Sequence, residues 1–149
     1  MKKLLYFFLA ITIISCGGDD DSIGTNESQT FLEKYDSVVW ENTGSAGDRA
    51  TFINNPKTLA IYYDACFIYS LEGATETPDG DTITISIQEQ GENSMSLSIQ
   101  SALYPEDNGL FIFTVTSDGN TQTLTRRIDG DIDGVEDVEY IRTNFEVCF

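Results

Sequence analysis

The sequence contains no histidine. This absence excludes serine and cysteine hydrolases that use an imidazole as the general base, and it excludes zinc sites built on histidine ligands. Catalysis would have to rely on carboxylates, tyrosines or serines, and no pair stands out among the 25 acidic residues. We therefore expect a protein that is not an enzyme and that carries no cofactor, apart from a structural calcium ion considered below.

Basic residues are also scarce, with eight Lys and Arg against 25 Asp and Glu, and the formal net charge is −17. Two of the eight are Lys2 and Lys3, so the chain from residue 16 onward carries six basic and 25 acidic side chains, a charge of −19. Nucleic acids and anionic headgroups are bound by basic surfaces. We expect no nucleic-acid partner.

The sequence has a single long hydrophobic run, and it lies at the N-terminus. Lys2 and Lys3 precede apolar residues 4–14, a run too short to span a bilayer, and the small residue Ser15 follows. Positive charge, apolar core and small residue, in this order, are typical of a secretory signal peptide. We assign residues 1–15 to this signal.

Residues 13–16 resemble a bacterial lipobox, in which the cysteine is acylated and becomes the first residue of the mature protein. The resemblance implies that Cys16 is the site of lipid attachment and that the protein is anchored in a membrane. Each buried acyl carbon contributes about 0.8 kcal/mol, so several chains hold a protein firmly. The alternatives are a cleaved signal whose Cys16 has another role, and an uncleaved helix.

Residues 16–29 are polar and acidic, and we interpret them as a flexible tether between the anchor and the domain. The acidic run 19–21 resembles the export signal of some Gram-negative lipoproteins that reach the outer face of the outer membrane. We therefore expect a lipid-anchored protein of the outer membrane that faces the cell exterior. The alternative is a tether that only solvates the chain, with the domain on the periplasmic face.

Cysteine is rare, with three in the chain. If Cys16 carries lipid, Cys66 and Cys148 remain as an even pair in an oxidising compartment. A disulfide between them would close most of the domain and stabilise it by about 4 kcal/mol in the chain-entropy model. The alternative is two reduced thiols.

Residues 30–149 form one domain in which alternating apolar residues predict short strands. Thr82–Gln88 and Ser94–Gln100 alternate most clearly and predict a hairpin. Residues 73–81 are interpreted as a turn-rich gap, and one or two strands are predicted within 138–149. Eight to ten antiparallel strands result, which predicts an all-β meander closing into a small barrel. A two-sheet β-sandwich is the alternative.

A short helix is predicted before the first strand. Thr30 and Glu33 have the spacing of a capping box, with the helix beginning at Phe31 and ending near Asp36. The strand Ser37–Glu41 follows and holds the single tryptophan, Trp40.

Residues 31–40 resemble the start of small lipocalin-like bacterial lipoproteins, in which a short helix plugs the base of the barrel and a Gly-x-Trp lies on the first strand. The helix and Trp40 match, whereas Val38 stands where the family has glycine. The resemblance implies that an arginine from a late strand, Arg127 or Arg142, stacks on the tryptophan.

The same resemblance implies that a small apolar ligand binds in the mouth of the barrel. The candidate ligand-binding residues are the aromatic side chains Trp40, Tyr62, Tyr69, Phe111 and Phe113. A barrel of about eight strands can also be packed solid, in which case these side chains only fill the core.

The acidic segment 129–137 has the most distinctive chemical pattern. Asp129, Asp131, Asp133 and then a glycine resemble the start of an EF-hand calcium loop, and Asp137 at the ninth position also resembles a thrombospondin type 3 repeat. These four carboxylates are the candidate metal ligands. Tyr140 replaces the twelfth-position glutamate of an EF-hand, and the alternative is a solvated hairpin loop.

Two functions remain open at this stage. The first is a membrane-anchored, surface-exposed barrel that binds a small apolar ligand. The second is a non-enzymatic surface interaction module with a protein partner, such as an accessory subunit of an outer-membrane complex. An apolar cavity of at least ~300 Å³ would favour the first, and a filled barrel with an exposed apolar patch would favour the second.

Overall fold

The computed structural model describes residues 28–129 and 135–148. Its elements are one short helix and ten strands, joined by turns and by a 3₁₀ turn at Pro105–Asp107. In chain order they are α1 (Phe31–Lys34), β1 (Val39–Asn42), β2 (Arg49–Ile53), β3 (Thr58–Tyr63), β4 (Ala65–Ser70), β5 (Glu72–Glu76), β6 (Thr82–Gln90), β7 (Ser94–Ser101), β8 (Gly109–Val115), β9 (Thr121–Ile128) and β10 (Val135–Thr143).

All ten strands belong to one antiparallel sheet in the order β4-β3-β2-β1-β10-β9-β8-β7-β6-β5. The two edge strands, β4 and β5, are consecutive in the chain, and the sheet curls until they meet. The backbone N–H of Ser70 donates to Oγ1 of Thr75 at 3.0 Å across this junction. The fold is therefore a nearly closed, lipocalin-like barrel, which confirms the predicted class over the sandwich.

Several predicted boundaries were wrong: α1 ends at Lys34 and not near Asp36, and β1 spans Val39–Asn42 and not Ser37–Glu41. Residues 73–81, interpreted as a turn-rich gap, contain most of β5, which pairs with β6 through Ala74 and Thr84. A short edge strand of small and polar residues leaves no apolar alternation to detect. Toward the C-terminus, β10 already begins at Val135, within the segment interpreted as a loop.

The capping box at α1 is confirmed. The backbone N–H of Glu33 donates to Thr30 Oγ1 at 3.4 Å, and the backbone N–H of Thr30 donates to Glu33 Oε2 at 2.8 Å. These hydrogen bonds from the Thr30 backbone and hydroxyl hold the pKa of Glu33 below its ordinary value. One turn of helix has little stability of its own, so its burial against the barrel must stabilise it.

The helix closes one end of the barrel with aromatic side chains. Phe31 packs edge-on against Phe52 at 5.5 Å between ring centroids, and Phe52 packs against Phe113 at 5.0 Å. Tyr35 contacts Trp40 at 5.9 Å in the same geometry. All five rings are buried. We call this end of the barrel the plugged end.

The disulfide Cys66–Cys148 is confirmed, with 5.5 Å between the Cα atoms and a sequence separation of 82. It fastens the C-terminal segment 144–148 to the edge strand β4. Within this segment, Val147 is buried, and the centroid of the Phe145 ring lies 4.2 Å from the guanidinium carbon of Arg49 on β2. The segment therefore covers part of the outer surface of the sheet.

None of the helical segments in the described part of the chain is long and apolar enough to cross a bilayer. The predicted signal 1–15, the lipid site Cys16 and most of the tether lie outside the described residues. They remain predictions.

Candidate functional site

Within residues 28–129 and 135–148, no α-helix lies at the barrel end opposite α1. Because the strands alternate in direction, the loops after β1, β5 and β7 (residues 43–48, 77–81 and 102–108) all lie at this end. We call it the mouth.

A cavity of about 440 Å³, the outer cavity, opens at the mouth. Most of its wall is apolar: Leu59, Ile61, Tyr63, Tyr69, Ile83, Ile85, Ile99 and Phe111. Its polar lining comes from Asp81, Ser101, Tyr104, Asp107 and Arg126. The arrangement follows from period-two alternation on strands whose inward residues are apolar.

A second cavity of about 190 Å³, the side cavity, adjoins the first. Both are lined by Leu59, Ile61, Tyr63, Ile99 and Phe111. The side cavity is also lined by Asn42, Asp48, Arg49, Ala50, Phe113, Gln122, Leu124 and Tyr140. The two volumes therefore share a wall of apolar side chains inside one barrel.

Asp81 is a buried carboxylate at the mouth, with 2% of its surface exposed. It accepts hydrogen bonds from Ser101 Oγ at 2.6 Å and from the backbone N–H groups of Thr82 at 2.7 Å and Leu103 at 2.8 Å. Burial raises the pKa of Asp81, but these hydrogen bonds outweigh it and hold the pKa below the ordinary value. The charged side chain therefore joins two loops of the mouth.

Arg126 spans the outer cavity from β9. Its Nη2 lies 2.8 Å from Oδ1 of Asp107 in the 3₁₀ turn, and its guanidinium lies 5.7 Å from the centroid of the Phe111 ring. Among residues 28–129 and 135–148, the buried Nε of Arg126 has no hydrogen-bond partner. Arg126 therefore ties one wall of the barrel to the loop above the mouth through its Nη2.

Three of the five predicted ligand-binding residues line the cavities. Tyr69 and Phe111 line the outer cavity, and Phe113 lines the side cavity. Burial is the first cause that raises the pKa of Tyr69, followed by the nearby Tyr63, Asp79 and Asp81. The hydroxyl of Tyr69 is therefore neutral at physiological pH.

The other two lie elsewhere. Trp40 is fully buried at the plugged end and lines neither cavity. Tyr62 is 37% exposed and stands opposite Cys66 in the β3–β4 register. On β3 the inward positions are Leu59, Ile61 and Tyr63, so Tyr62 points to the outer face.

The expected arginine over Trp40 is wrong within residues 28–129 and 135–148. Arg127 and Arg142 are both exposed, and the cation–π contacts found there involve other aromatic rings. Tyr35 of the plug packs against Trp40 instead. The register places Arg142 opposite Trp40 on β10, but its side chain extends into solvent, where a guanidinium is better hydrated.

Only part of the predicted calcium site lies among the described residues. Asp131 and Asp133 lie outside the described residues. The backbone N–H of Asp129 donates to the Asn108 carbonyl at 2.8 Å, and Asp137 Oδ1 accepts from Thr125 Oγ1 at 2.7 Å. In the part that is described, no three acidic or cysteine side chains are grouped as metal ligands. The site stays a prediction.

Gln122, Asp81 and Arg126 were missed by sequence reasoning. The alternation of β9 could have found two of them, because Gln122 and Arg126 share a strand face with the apolar Leu124. Asp81 carried no such signal, since its partners Ser101 and Leu103 are about 20 residues away in the sequence.

No family model, no curated protein and no solved structure matches this chain.

Proposed function

We propose that the barrel binds a small apolar molecule in the outer cavity. The supporting observation is the cavity itself: about 440 Å³, walled mainly by apolar side chains and lined by Asp81, Tyr104 and Asp107 from the loops at the end opposite α1. This volume lies within the range of about 300–1,000 Å³ that is typical of ligand pockets. Its few polar groups stand at the rim, as expected for a site that takes an apolar body and orients one end.

The cavity also weakens the idea of a barrel packed solid. In a filled barrel the inward side chains would be fully buried by one another. Ile61, Ile99 and Phe111 point inward but are only partly buried. Their remaining surface faces the cavities, and removing that surface from water would favour binding of an apolar ligand.

We further propose that this barrel is held at the outer membrane by lipid on Cys16 and faces the cell exterior, with the periplasmic face as the alternative. The lipobox resemblance of residues 13–16 and the acidic run that follows support this location. Incorporation of labelled palmitate, abolished by Cys16→Ser, tests the anchor independently of the barrel.

The second candidate, a surface interaction module, is supported by exposed apolar side chains near the mouth. Leu103 is 54% exposed and Tyr104 is 45% exposed. Both belong to the loop after β7 and would serve equally to admit a ligand. The binding experiment below separates the two candidates.

The test compares two tryptophan substitutions at neighbouring positions of β7. Ile99 lines both cavities, whereas Gln100 is exposed on the outer face. Binding of the uncharged fluorophore N-phenyl-1-naphthylamine is measured for the wild type, Ile99→Trp and Gln100→Trp. We expect Ile99→Trp to fill the cavity and weaken binding at least tenfold, while Gln100→Trp binds as the wild type does.

Equal binding by both variants would overturn the proposal, because it would place the fluorophore outside the barrel. Absence of saturable binding to the wild type would do the same and leave the interaction module. Native mass spectrometry of the mature chain, with and without calcium, adds a check for a co-purifying apolar ligand.

A further inference from the structure

Gln122 on β9 is a buried polar side chain. Only 1% of its surface is exposed, and its Nε2 atom has no hydrogen-bond partner among the described residues. It lines the side cavity. Buried amides are normally paired, because leaving one unpaired costs stability.

The nearest strand neighbours of Gln122 are mostly apolar, and the side cavity is also lined by the charged residues Asp48 and Arg49. Its register partners are Val115 on β8 and Tyr140 on β10, and Leu124 is the next residue on its own strand face. Phe113 lies opposite Leu124 and lines the same cavity. An unpartnered donor in such surroundings points to an acceptor that arrives with a ligand.

The position of Gln122 fits the far end of a ligand that enters at the mouth. Gln122 and Arg126 share one face of β9, and four residues of strand separate them by about 13 Å. Arg126 lies at the rim of the outer cavity, whereas Gln122 is one residue from the end of β9 that faces the plug. A ligand lying along β9 would bring one end to each.

The charges at the mouth disfavour an anionic ligand. Asp81 and Asp107 both line the outer cavity, and the single arginine there, Arg126, is already paired with Asp107. A carboxylate brought to this rim would meet two negative charges and one guanidinium that already pairs with Asp107. An uncharged acceptor avoids this repulsion.

We propose that the ligand is an uncharged, elongated apolar molecule whose inner end carries a hydrogen-bond acceptor, such as a ketone oxygen, that accepts from the Nε2 of Gln122. This inference rests on the proposed binding function and specifies its chemical class. The amide of Gln122 selects among apolar molecules, since the apolar wall alone does not distinguish a ketone from a hydrocarbon.

The experiment uses two ligands of equal length, undecane and 2-undecanone, with the wild type and Gln122→Leu. Displacement of N-phenyl-1-naphthylamine from the mature chain measures the affinity of each ligand. For each protein, the affinity for the ketone is divided by the affinity for the alkane. Comparing the ratios cancels the different solubilities of the ligands. We expect the substitution to lower the relative affinity for the ketone about tenfold, as the loss of one buried hydrogen bond predicts.

Gln100→Leu is the matched control, because it makes the same substitution on the exposed face of β7. It should leave the ratio unchanged.

Undecanoate at neutral pH should bind more weakly than 2-undecanone, and tighter binding would overturn the preference for an uncharged ligand.

The outcomes distinguish failure of this inference from failure of the proposed binding function. If neither ligand displaces the fluorophore from the wild type, the binding function fails. If both bind and the ratio is the same in Gln122→Leu, the binding function stands and the role of Gln122 is overturned, as it would be if a water molecule were its partner.

A second measurement needs only the wild type and therefore holds even if Gln122→Leu does not fold. The infrared carbonyl stretch of bound, ¹³C-labelled 2-undecanone should lie below its frequency in a hydrocarbon solvent, because a hydrogen bond weakens the C=O bond. A frequency equal to that in hydrocarbon would show that no donor reaches the carbonyl and would overturn the inference.

Discussion

At the scale of single residues, the mouth depends on a charged carboxylate that is almost completely buried. Asp81 accepts from one hydroxyl and from backbone N–H groups of two segments. A carboxylate held in this way has a folded-state pKa below its ordinary value. Its hydrogen bonds therefore stabilise the folded barrel only while the group is charged.

The pH dependence of unfolding follows from that sign. Above the ordinary aspartate pKa of about 3.9 the stabilisation by Asp81 is fully present, and it is lost as the pH falls through the lower, folded-state pKa. Asp81→Asn should lower the urea midpoint at pH 7 and should reduce the difference in midpoint between pH 7 and pH 3. Urea unfolding curves recorded at pH 7 and pH 3 measure both effects. Glu76→Gln, which replaces an exposed carboxylate, is the control. An unchanged midpoint at pH 7 would contradict the assignment.

Gly109 is required by close packing between strands. A Cβ atom built on Gly109 would clash with the backbone carbonyl oxygen of Arg127. Gly109→Ala must therefore push β8 from β9 and should cost about 1–3 kcal/mol of unfolding free energy. Gly91→Ala, whose Cβ meets nothing closer than 3.4 Å, is the control for urea denaturation. Equal stability of the two variants would show that the strands adjust freely.

At the scale of elements, α1 is stabilised by what it buries. It has four residues, and Phe31 and Leu32 are both fully buried. Phe31→Ala removes a ring that packs on Phe52 and Tyr35 and should cost about 3–5 kcal/mol.

The cap of the same helix should matter less. Thr30→Ala removes one side of the capping box and should cost about 1 kcal/mol. Thermal unfolding of both variants checks this order. A larger loss from Thr30→Ala than from Phe31→Ala would show that local hydrogen bonding, and not burial, holds the plug.

Alternation predicted the hairpin β6–β7 because apolar residues occupy every second position there, isoleucines on β6 and Met95, Leu97 and Ile99 on β7. It failed for β5, whose residues Glu72–Glu76 are small or polar and pair at an edge. The capping box was readable because both partners lie within one turn. Contacts between distant segments, such as those of Asp81, leave no local pattern.

The candidate site was predictable to a similar degree. Phe111 and Phe113 alternate on one strand, so they share an inward face. The prediction for Tyr62 was wrong because Tyr62 is three positions from the inward residue Leu59. An odd separation along a strand places two side chains on opposite faces. Whether a cavity remains between inward side chains depends on the curvature of the whole barrel, which no single strand encodes.

At the scale of the whole molecule, the disulfide links the last described residue to an edge strand. Cys66 on β4 and Cys148 have a sequence separation of 82. The double substitution to serine should lower the unfolding free energy by about 4 kcal/mol in the chain-entropy model. Urea unfolding of the variant, compared with the oxidised wild type, measures the loss. A change below 1 kcal/mol would show that the C-terminal segment contributes little.

The central claim is that this barrel takes up an apolar molecule between α1 and the mouth. The most direct measurement is a titration of the isotope-labelled mature chain with 2-undecanone, followed by backbone and methyl NMR shifts. The account predicts saturable shifts concentrated at Ile61, Ile83, Ile85 and Ile99, which line the outer cavity. Shifts concentrated at outward residues such as Ile68 and Ile141, or no saturable shifts at all, would contradict it.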